Sequence, residues 1–291
     1  MNKDLKVDLE PNNDVIFKRL FGMQKNERFL KEFLEAILDI KIEKVNLEKD
    51  TQLLPEIIDQ KLGILDVRAE LSDGTMLDIE MQNINYHDIE KRMTYYLNQL
   101  YVSELSKGKL YNELNKAIVI GILNFDYFTD IKEYHTIWKM TEQFNKEKTI
   151  EEQEIHFIEL PKFLRSNPNT DRKLDQWLLF IEFSRKELLK MVEDKNNMIK
   201  EAVEEYEYLK GDEAVQRIAF LKRKYELDHN NALYHAKKEG REEGEKSGKK
   251  DGERNEKVRI AKKMLELKSD IQFISQVTGL STKEIEELIK K

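Results

Sequence analysis

The segment LDVRAELSDGTMLDIEMQ, at residues 65–82, constrains the fold of this chain more than any other. Its second half alternates apolar and polar residues, so on a strand of period two the apolar set faces a core and the polar set shares the other face. Ser72, Asp73 and Gly74 stand between the two halves and supply a turn. The pattern therefore predicts a hairpin with strands at 63–71 and 75–83.

The hairpin carries Asp66 on its first strand and Asp78, Glu80 and Gln82 on its second. Antiparallel pairing brings Asp66 level with the Glu80 end of the second strand, so these carboxylates could hold a divalent cation between them. Hard oxygen ligands of this kind suit Mg²⁺ or Mn²⁺. The spacing leaves an alternative open, in which both carboxylates are solvated residues on the polar faces. Asp78 is either a supporting residue beside Glu80 or an exposed one.

Three further motifs flank the hairpin: NNDVIFKRLFG at 12–22, KRMTYYLNQLY at 91–101 and KGKLYNELNKAIVIGILNF at 107–125. Together with the LDVRAE and LDIEMQ pair, they resemble the Rpn-like recombination-promoting nuclease and transposase family of the PD-(D/E)XK superfamily. The resemblance covers about residues 10–260. It implies an α/β, restriction-endonuclease-like core, a mixed sheet flanked by helices, with a C-terminal helical extension.

The resemblance also assigns roles to single residues. Asp66 and Glu80 match the two acids of the superfamily pattern, whereas Leu65 stands in place of its Pro and Gln82 in place of its Lys. Asp66 and Glu80 are therefore expected to bind Mg²⁺ (or Mn²⁺) in a DNA endonuclease. Gln82 can orient the attacking water by hydrogen bonding, but it cannot neutralise charge.

Several residues outside the hairpin are candidates for the site, and two of them, Asp14 and Tyr95, have two possible roles each. Asp14 is either an acid of the N-terminal helix that reaches the catalytic centre or the N-cap of that helix. Lys18, Arg19 and Arg92 are candidate phosphate contacts. Tyr95 could stack on an unpaired base or contribute to packing.

Periodicity predicts the elements around the hairpin. Helices are expected from Asp14 up to Gly22, over 29–38 and from Asp88 to Lys107, and residues 42–54 are expected to be extended. The apolar run Ala117–Leu123 predicts a strand buried on both faces. Further strands are predicted near 133–140 and 154–160. Helix is predicted throughout from Lys173 to about Asp228, with only Gly211 interrupting its second half.

The C-terminal part differs in composition. Small residues recur at every fourth position from Ala232 to Gly252, between charged residues, and each glycine costs a helix about 1 kcal/mol relative to alanine. This stretch is either a self-pairing arm or a solvated linker. Residues 259–291 resemble a small helix-turn-helix, with a capping box at Ser281 and Glu284, which is either a DNA reader or a helical hairpin. The predicted domains are 1–230, 231–258 and 259–291.

Composition excludes several classes of site. Without cysteine the chain has no disulfide, thiolate catalysis or cysteine-based zinc site. No nucleotide-binding glycine loop or nucleophile elbow occurs. The histidines lack metal-ligand spacing and are interpreted as structural or surface residues: His87, His135, His156, His229 and His235.

Charge and hydropathy bear on location and partners. No apolar run approaches the ~18 residues of a membrane span, so a soluble, cytoplasmic protein is expected. The net charge of −7 does not indicate nucleic-acid binding, although a local basic cleft is enough for a nuclease.

Two functions from different classes follow. The first is a Mg²⁺-dependent DNA endonuclease, acting as a homodimer in recombination, mobile-element movement or defence against foreign DNA. The second is a catalytically weak DNA-binding or assembly protein on the same fold, which Gln82 in place of Lys keeps open.

Overall fold

The computed structural model describes residues 8–47, 67–103, 105 and 110–289. The chain divides into two compact units, Met1–Arg223 and Lys224–Lys291. None of the described helices combines the length and the apolar character that crossing a membrane requires.

Six strands form the sheet of the first unit: β1 Val45–Leu47, β2 Val67–Leu71, β3 Met76–Gln82, β4 Ala117–Leu123, β5 His135–Thr141 and β6 Thr149–Glu159. Their order is β1-β2-β3-β4-β6-β5. The central strands β3, β4 and β6 are parallel, whereas β1, β2 and β5 pair antiparallel with their neighbours. The carboxyl ends of the three central strands therefore share one edge of the sheet, where open α/β sheets commonly bind ligands.

Helices cover both faces of this sheet: α1 Asp14–Phe21, α2 Glu27–Leu38, α3 Ile89–Ser103, α4 Leu160–Arg165, α5 Lys173–Glu182, α6 Lys186–Glu193 and α7 Asn197–Gly211. The larger core packs α1, α2 and α5 to α7 against one face, with Trp177 at 0% exposure among its aromatic side chains. A smaller core packs α3 and the loop after β4 against the other face. The predicted α/β architecture is confirmed.

The hairpin of β2 and β3 forms as the alternation predicts. Leu77, Ile79 and Met81 belong to the larger core, so Asp78 and Glu80 face α3. Gly74 has a φ of +88°, a conformation that L side chains rarely adopt, and its N–H donates to the Leu71 carbonyl over 2.9 Å. The predicted turn is therefore confirmed.

A glycine lets α3 approach the sheet closely. Gly121 of β4 lies beside Glu80 in the parallel register, and a Cβ at this position would come within 3.2 Å of Met93 Sδ. Because no side chain intervenes, Met93 is fully buried against the strand. This contact brings Arg92, the residue directly before Met93 in α3, down to the polar row of β3.

The helical run predicted from Lys173 to Asp228 is wrong in the continuity of its first half, which is broken twice, whereas its second half is broken only after Gly211, as predicted. Phe183 ends α5 in the left-handed region at φ +60°, and Asn196 caps α7 by accepting from the Met198 N–H. The third break is at Asp212, whose side chain accepts from the Ala214 and Val215 N–H groups at the start of α8. Of the extended run at 42–54, β1 is described and residues 48–54 lie outside the described part.

The second unit is helical. α8, Glu213–Glu266, runs through the whole stretch from Ala232 to Gly252 and is followed by α9 Ile271–Thr278 and α10 Thr282–Ile289. A small core holds the last helices together: Ala261, Ile274, Leu280 and Ile285. The predicted capping box is confirmed, since the Ser281 N–H donates to Glu284 Oε2 over 2.9 Å and the Glu284 N–H donates to Ser281 Oγ over 3.3 Å.

Candidate active site

The polar row of β3 ends at the carboxyl edge of the sheet. Asp78 is fully buried and lies 3.4 Å from Arg68 Nε of β2, so the exposed alternative for this residue is wrong. Glu80 is 4% exposed, so its solvated alternative does not hold either. Gln82, the last residue of β3, is half-buried beside it.

A chain of polar contacts connects Glu80 to α3. Gln82 Nε2 donates to Glu80 Oε2 over 2.5 Å, and Arg92 Nη1 donates to Gln82 Oε1 over 3.1 Å. Arg92 Nη2 lies 3.7 Å from Glu80 Oε2 and donates to the Tyr96 hydroxyl over 3.3 Å. The amide of Gln82 therefore has a fixed orientation, with its N–H groups toward the carboxylate and its oxygen toward the guanidinium.

Arg92 keeps its positive charge in this environment. Burial lowers the pKa of the guanidinium, but the Tyr96 hydrogen bond and the charge of Glu80 more than offset that effect, so the pKa of Arg92 is raised. A permanent positive charge therefore stands beside the residue that replaces the superfamily lysine.

The start of α1 lies at the same sheet edge. Asn83 Nδ2, directly after β3, donates to the Asn12 carbonyl over 3.0 Å. Asn13 is the N-cap of α1, because its side chain accepts from the Val15 and Ile16 N–H groups, so the N-cap alternative for Asp14 is wrong. The Asp14 carboxylate is in contact with Lys222 Nζ at the start of α8.

The remaining DNA-binding candidates lie in different surroundings. Lys18 is 8% exposed on the buried side of α1, and Arg19 Nη1 contacts Met23 Sδ over 3.8 Å. Tyr95 is 58% exposed, and its hydroxyl accepts from Gln99 Nε2 over 2.8 Å. The structure thus brings Arg92 to Glu80 and Gln82, leaves Tyr95 accessible, buries Lys18 and leaves Arg19 half-buried.

The first predicted metal ligand, Asp66, lies outside the described residues. Among the residues that are described, no group of three or more His, Asp or Glu side chains is arranged to hold a metal ion. The donor chemistry of Glu80 nevertheless fits a hard divalent cation, since it is a carboxylate at the carboxyl edge of the sheet.

A second buried carboxylate, Glu159, lies on the same face and has no counterpart in the sequence motifs. In the parallel registers Gln82, Leu123 and Glu159 are side by side on β3, β4 and β6. Glu159 accepts from the Tyr127 N–H over 2.5 Å and from Lys162 Nζ over 2.5 Å. No motif signals the role of Glu159, because its partners come from the loop after β4 and from α4.

Two histidines meet on the opposite face. His135 Nε2 and His156 Nδ1 are 3.0 Å apart, and His156 Nε2 is 3.2 Å from Glu154 Oε2. Burial, together with the charges of His156 and Arg172, lowers the pKa of His135 to about 4. The interpretation of these two histidines as structural is consistent with their burial, although spacing alone did not reveal their contact.

Comparisons with known proteins add two matches. Residues 11–236 match the family model described as PD-(D/E)XK nuclease family transposase. Residues 254–290 match the model described as Rpn/YhgA-like nuclease family, C-terminal HTH domain, which confirms the helix-turn-helix interpretation of this segment. No curated protein and no solved structure matches the chain.

Proposed function

The chain belongs to the PD-(D/E)XK nuclease family transposases, and we propose that it is a metal-dependent DNA endonuclease centred on Asp66, Glu80 and Gln82. The observation that carries this proposal is the buried carboxylate of Glu80 at the carboxyl end of β3, tied through Gln82 to the guanidinium of Arg92. Buried acids with a specific charged partner cluster at functional sites, so this position at the carboxyl end of a central strand favours a role in chemistry.

The place of Asp66 in the centre is an extension of the described register. β2 and β3 pair with Val67 opposite Ile79, and we propose that this pairing continues by one residue, so that Asp66 stands opposite Glu80. We propose that Asp66 and Glu80 together hold Mg²⁺ or Mn²⁺. Such an ion supplies charge stabilisation for the phosphodiester transition state and lowers the pKa of a water molecule.

Arg92 takes over the charge that the superfamily pattern assigns to lysine. Gln82 is neutral, but its amide oxygen is 3.1 Å from Arg92 Nη1, so a cation lies one hydrogen bond away from the lysine position. Arg92 offers five N–H donors in a fixed fork, which suits a phosphate oxygen. In this proposal Gln82 orients water through its N–H groups, and Arg92 neutralises charge that develops on the phosphate. Asp14 stays near this edge through its contact with Lys222.

A plasmid-cleavage assay tests the proposal. We expect supercoiled DNA to be nicked or linearised with Mg²⁺ or Mn²⁺ and to remain intact with EDTA. Asp66→Ala should be inactive, because it removes a proposed metal ligand, and a melting curve checks that the variant is folded. Cleavage that is insensitive to EDTA, or unchanged in Asp66→Ala, would overturn the assignment.

The alternative is a catalytically weak DNA-binding or assembly protein. It is favoured by the replacement of lysine by Gln82 and by the helix-turn-helix match over residues 254–290. In that event a labelled duplex is bound in a gel-shift experiment, yet no metal supports cleavage.

We further propose that the chain acts as a homodimer that pairs through α8. A Cβ built on Gly240, Gly244, Gly248 or Gly252 meets nothing within 4 Å, so the small-residue face of this helix is open to a partner. Two nuclease centres in one assembly would allow both strands of a duplex to be cut in one encounter. In this proposal the C-terminal helices of the same dimer also bind DNA.

Replacing Gly244 and Gly248 by Leu tests the pairing. The change raises helix propensity by up to about 1 kcal/mol per site, so a loss of dimer would come from blocked approach and not from a melted helix. Glu242→Leu with Lys246→Leu is a matched control, with the same spacing on another side of α8. Light scattering should give a monomer only for the glycine variant, and a wild-type mass near 34.7 kDa would remove the dimer.

A further inference from the structure

A cleft lies between the loop that follows β4 and the short helix α4. It encloses about 350 Å³ and is lined by Asp126, Thr129, Ile131, Lys132, Lys162, Arg165 and Ser166. Three of these residues are cationic and one is anionic. The cleft is separate from Glu80 and Gln82, and nothing in the proposed mechanism uses it.

The walls of the cleft are fixed by the Glu159 contacts. Lys162 is 7% exposed, and its ammonium donates to Glu159 Oε2 over 2.5 Å and to the Phe128 carbonyl over 2.6 Å. Glu159 in turn accepts from the Tyr127 and Phe128 N–H groups. The loop and α4 are therefore held together by buried hydrogen bonds, so the cleft is part of the folded core and not an accident of surface side chains.

Two exposed cations at the mouth have donors to offer. Arg165 Nη2 contacts Asp126 Oδ1 over 2.7 Å, which leaves most of the five guanidinium N–H groups for another acceptor. Within the described part of the chain, Lys132 forms no ion pair. Since Glu159 neutralises Lys162 and Asp126 neutralises one charge at the mouth, a net positive charge remains that suits an anion.

The position of the cleft relates it to the proposed nuclease centre. Glu159 lies in the same row as Gln82, two strands away on the same face of the sheet. Two strand spacings amount to about 10 Å, which is roughly three base-pair rises along one DNA strand at about 3.4 Å each. A strand with its scissile phosphate at Glu80 could thus present another phosphate to the cleft.

We propose that the cleft of Lys132, Lys162 and Arg165 binds a backbone phosphodiester of the DNA substrate, a few nucleotides from the bond to be cut. The inference rests on the proposed function, because DNA is taken as the ligand. Lys132 and Arg165 contact the phosphate, and Lys162 holds the wall. The contact fixes the position of the DNA strand along the protein, and it does not distinguish between bases.

Binding measured in EDTA tests this without cleavage. The full chain and Lys132→Gln/Arg165→Gln are titrated onto a short fluorescein-labelled duplex at several salt concentrations, with anisotropy as the signal. Because both residues contact the same phosphate, the double variant should reduce the slope of log K against log salt by about 0.9 and weaken binding roughly fivefold near physiological salt.

Two further variants sharpen the result. Lys146→Gln/Lys148→Gln removes the same charge from the turn before β6, at the opposite edge of the sheet, and should leave the slope unchanged. Asp126→Asn removes the carboxylate that competes for Arg165 and should tighten binding. Opposite signs for Asp126→Asn and the double variant, together with unchanged binding by Lys146→Gln/Lys148→Gln, would locate the phosphate contact at the cleft.

The outcomes separate the cleft from the nuclease proposal. DNA binding with unchanged affinity and slope in Lys132→Gln/Arg165→Gln overturns the cleft alone, whereas binding by the wild type without metal-dependent cleavage overturns the nuclease alone. A further arm adds inorganic phosphate at constant ionic strength and follows the melting temperature. Stabilisation by phosphate that is lost in the double variant, with DNA binding unchanged, assigns the cleft to free phosphate and overturns the proposal.

Discussion

Glu80 and Glu159 are both buried carboxylates on the same face and near the same edge of one sheet, yet their surroundings differ. Glu159 accepts from two backbone N–H groups and from the Lys162 ammonium, so its position is set by main-chain atoms. The contacts of Glu80 with Gln82 and Arg92 are made by side chains. A carboxylate locked by backbone groups serves the fold, whereas one held by side chains can exchange its partners for a ligand.

The largest effect is expected at Glu80. Glu80→Ala should lower the rate of DNA cleavage by at least about 1000-fold, or roughly 4 kcal/mol in the barrier, because it removes a proposed metal ligand. The measurement is single-turnover cleavage with Mg²⁺, accompanied by a urea denaturation curve. Cleavage at the wild-type rate by the folded variant would show that Glu80 is a structural carboxylate, like Glu159.

Glu159→Gln should show the opposite behaviour. It leaves the Lys162 ammonium buried without its counter-charge, so we expect a loss of about 3 kcal/mol in the free energy of unfolding. Chemical denaturation measures it. Glu159→Gln with Lys162→Met is the control, since removing both charges should restore most of the stability. A Glu159→Gln variant of normal stability would contradict the structural role.

A smaller effect is expected from exchanging the amide of Gln82. Gln82→Ala should slow cleavage about tenfold, or ~1.4 kcal/mol, since a water-orienting group is lost while the ligands remain. Gln82→Lys should also be slow, because its ammonium would stand beside the Arg92 guanidinium, which lies 3.1 Å from the present amide oxygen.

The double variant Gln82→Lys/Arg92→Gln moves the positive charge to the position that it has in the superfamily pattern. We expect it to cleave faster than Gln82→Lys alone, and a double-mutant cycle of cleavage rates measures the coupling. Equal rates for the single and double variants would show that Arg92 does not act as the cation of the centre.

The hairpin and the central strand could be predicted from the sequence because their signals are local. Alternation fixes which residues of β3 face the larger core, and the unbroken apolar run of β4 fits a strand with parallel neighbours on both sides. The family resemblance extended this local prediction to the fold, which the family model and the sheet confirm. The roles of Asp66, Glu80 and Gln82 stay predictions.

Contacts between distant segments could not be predicted. The pairing of Arg92 with Gln82 depends on how closely α3 approaches β4, and that distance is set by Gly121, which no motif identified. Lys162 and Glu159 are three residues apart, a spacing common in exposed helices, and only the fold shows that both are buried. The breaks between α5, α6 and α7 depend on single residues such as Phe183, which no periodicity reveals.

The common edge of β3, β4 and β6 has a consequence for how such an enzyme can diversify. The segments that follow β3, β4 and β6 all start at this edge of the sheet, where the proposed centre lies. The backbone pairing between the strands lies within the sheet, away from these segments. Insertions after β4 or β6 can therefore change what is bound near the centre while the strand registers stay intact. For protein engineering, the mostly exposed turn at 129–133 is the natural place to graft a new recognition element, because Tyr127 and Phe128, whose backbone holds Glu159, and the acidic row of β3 are all kept.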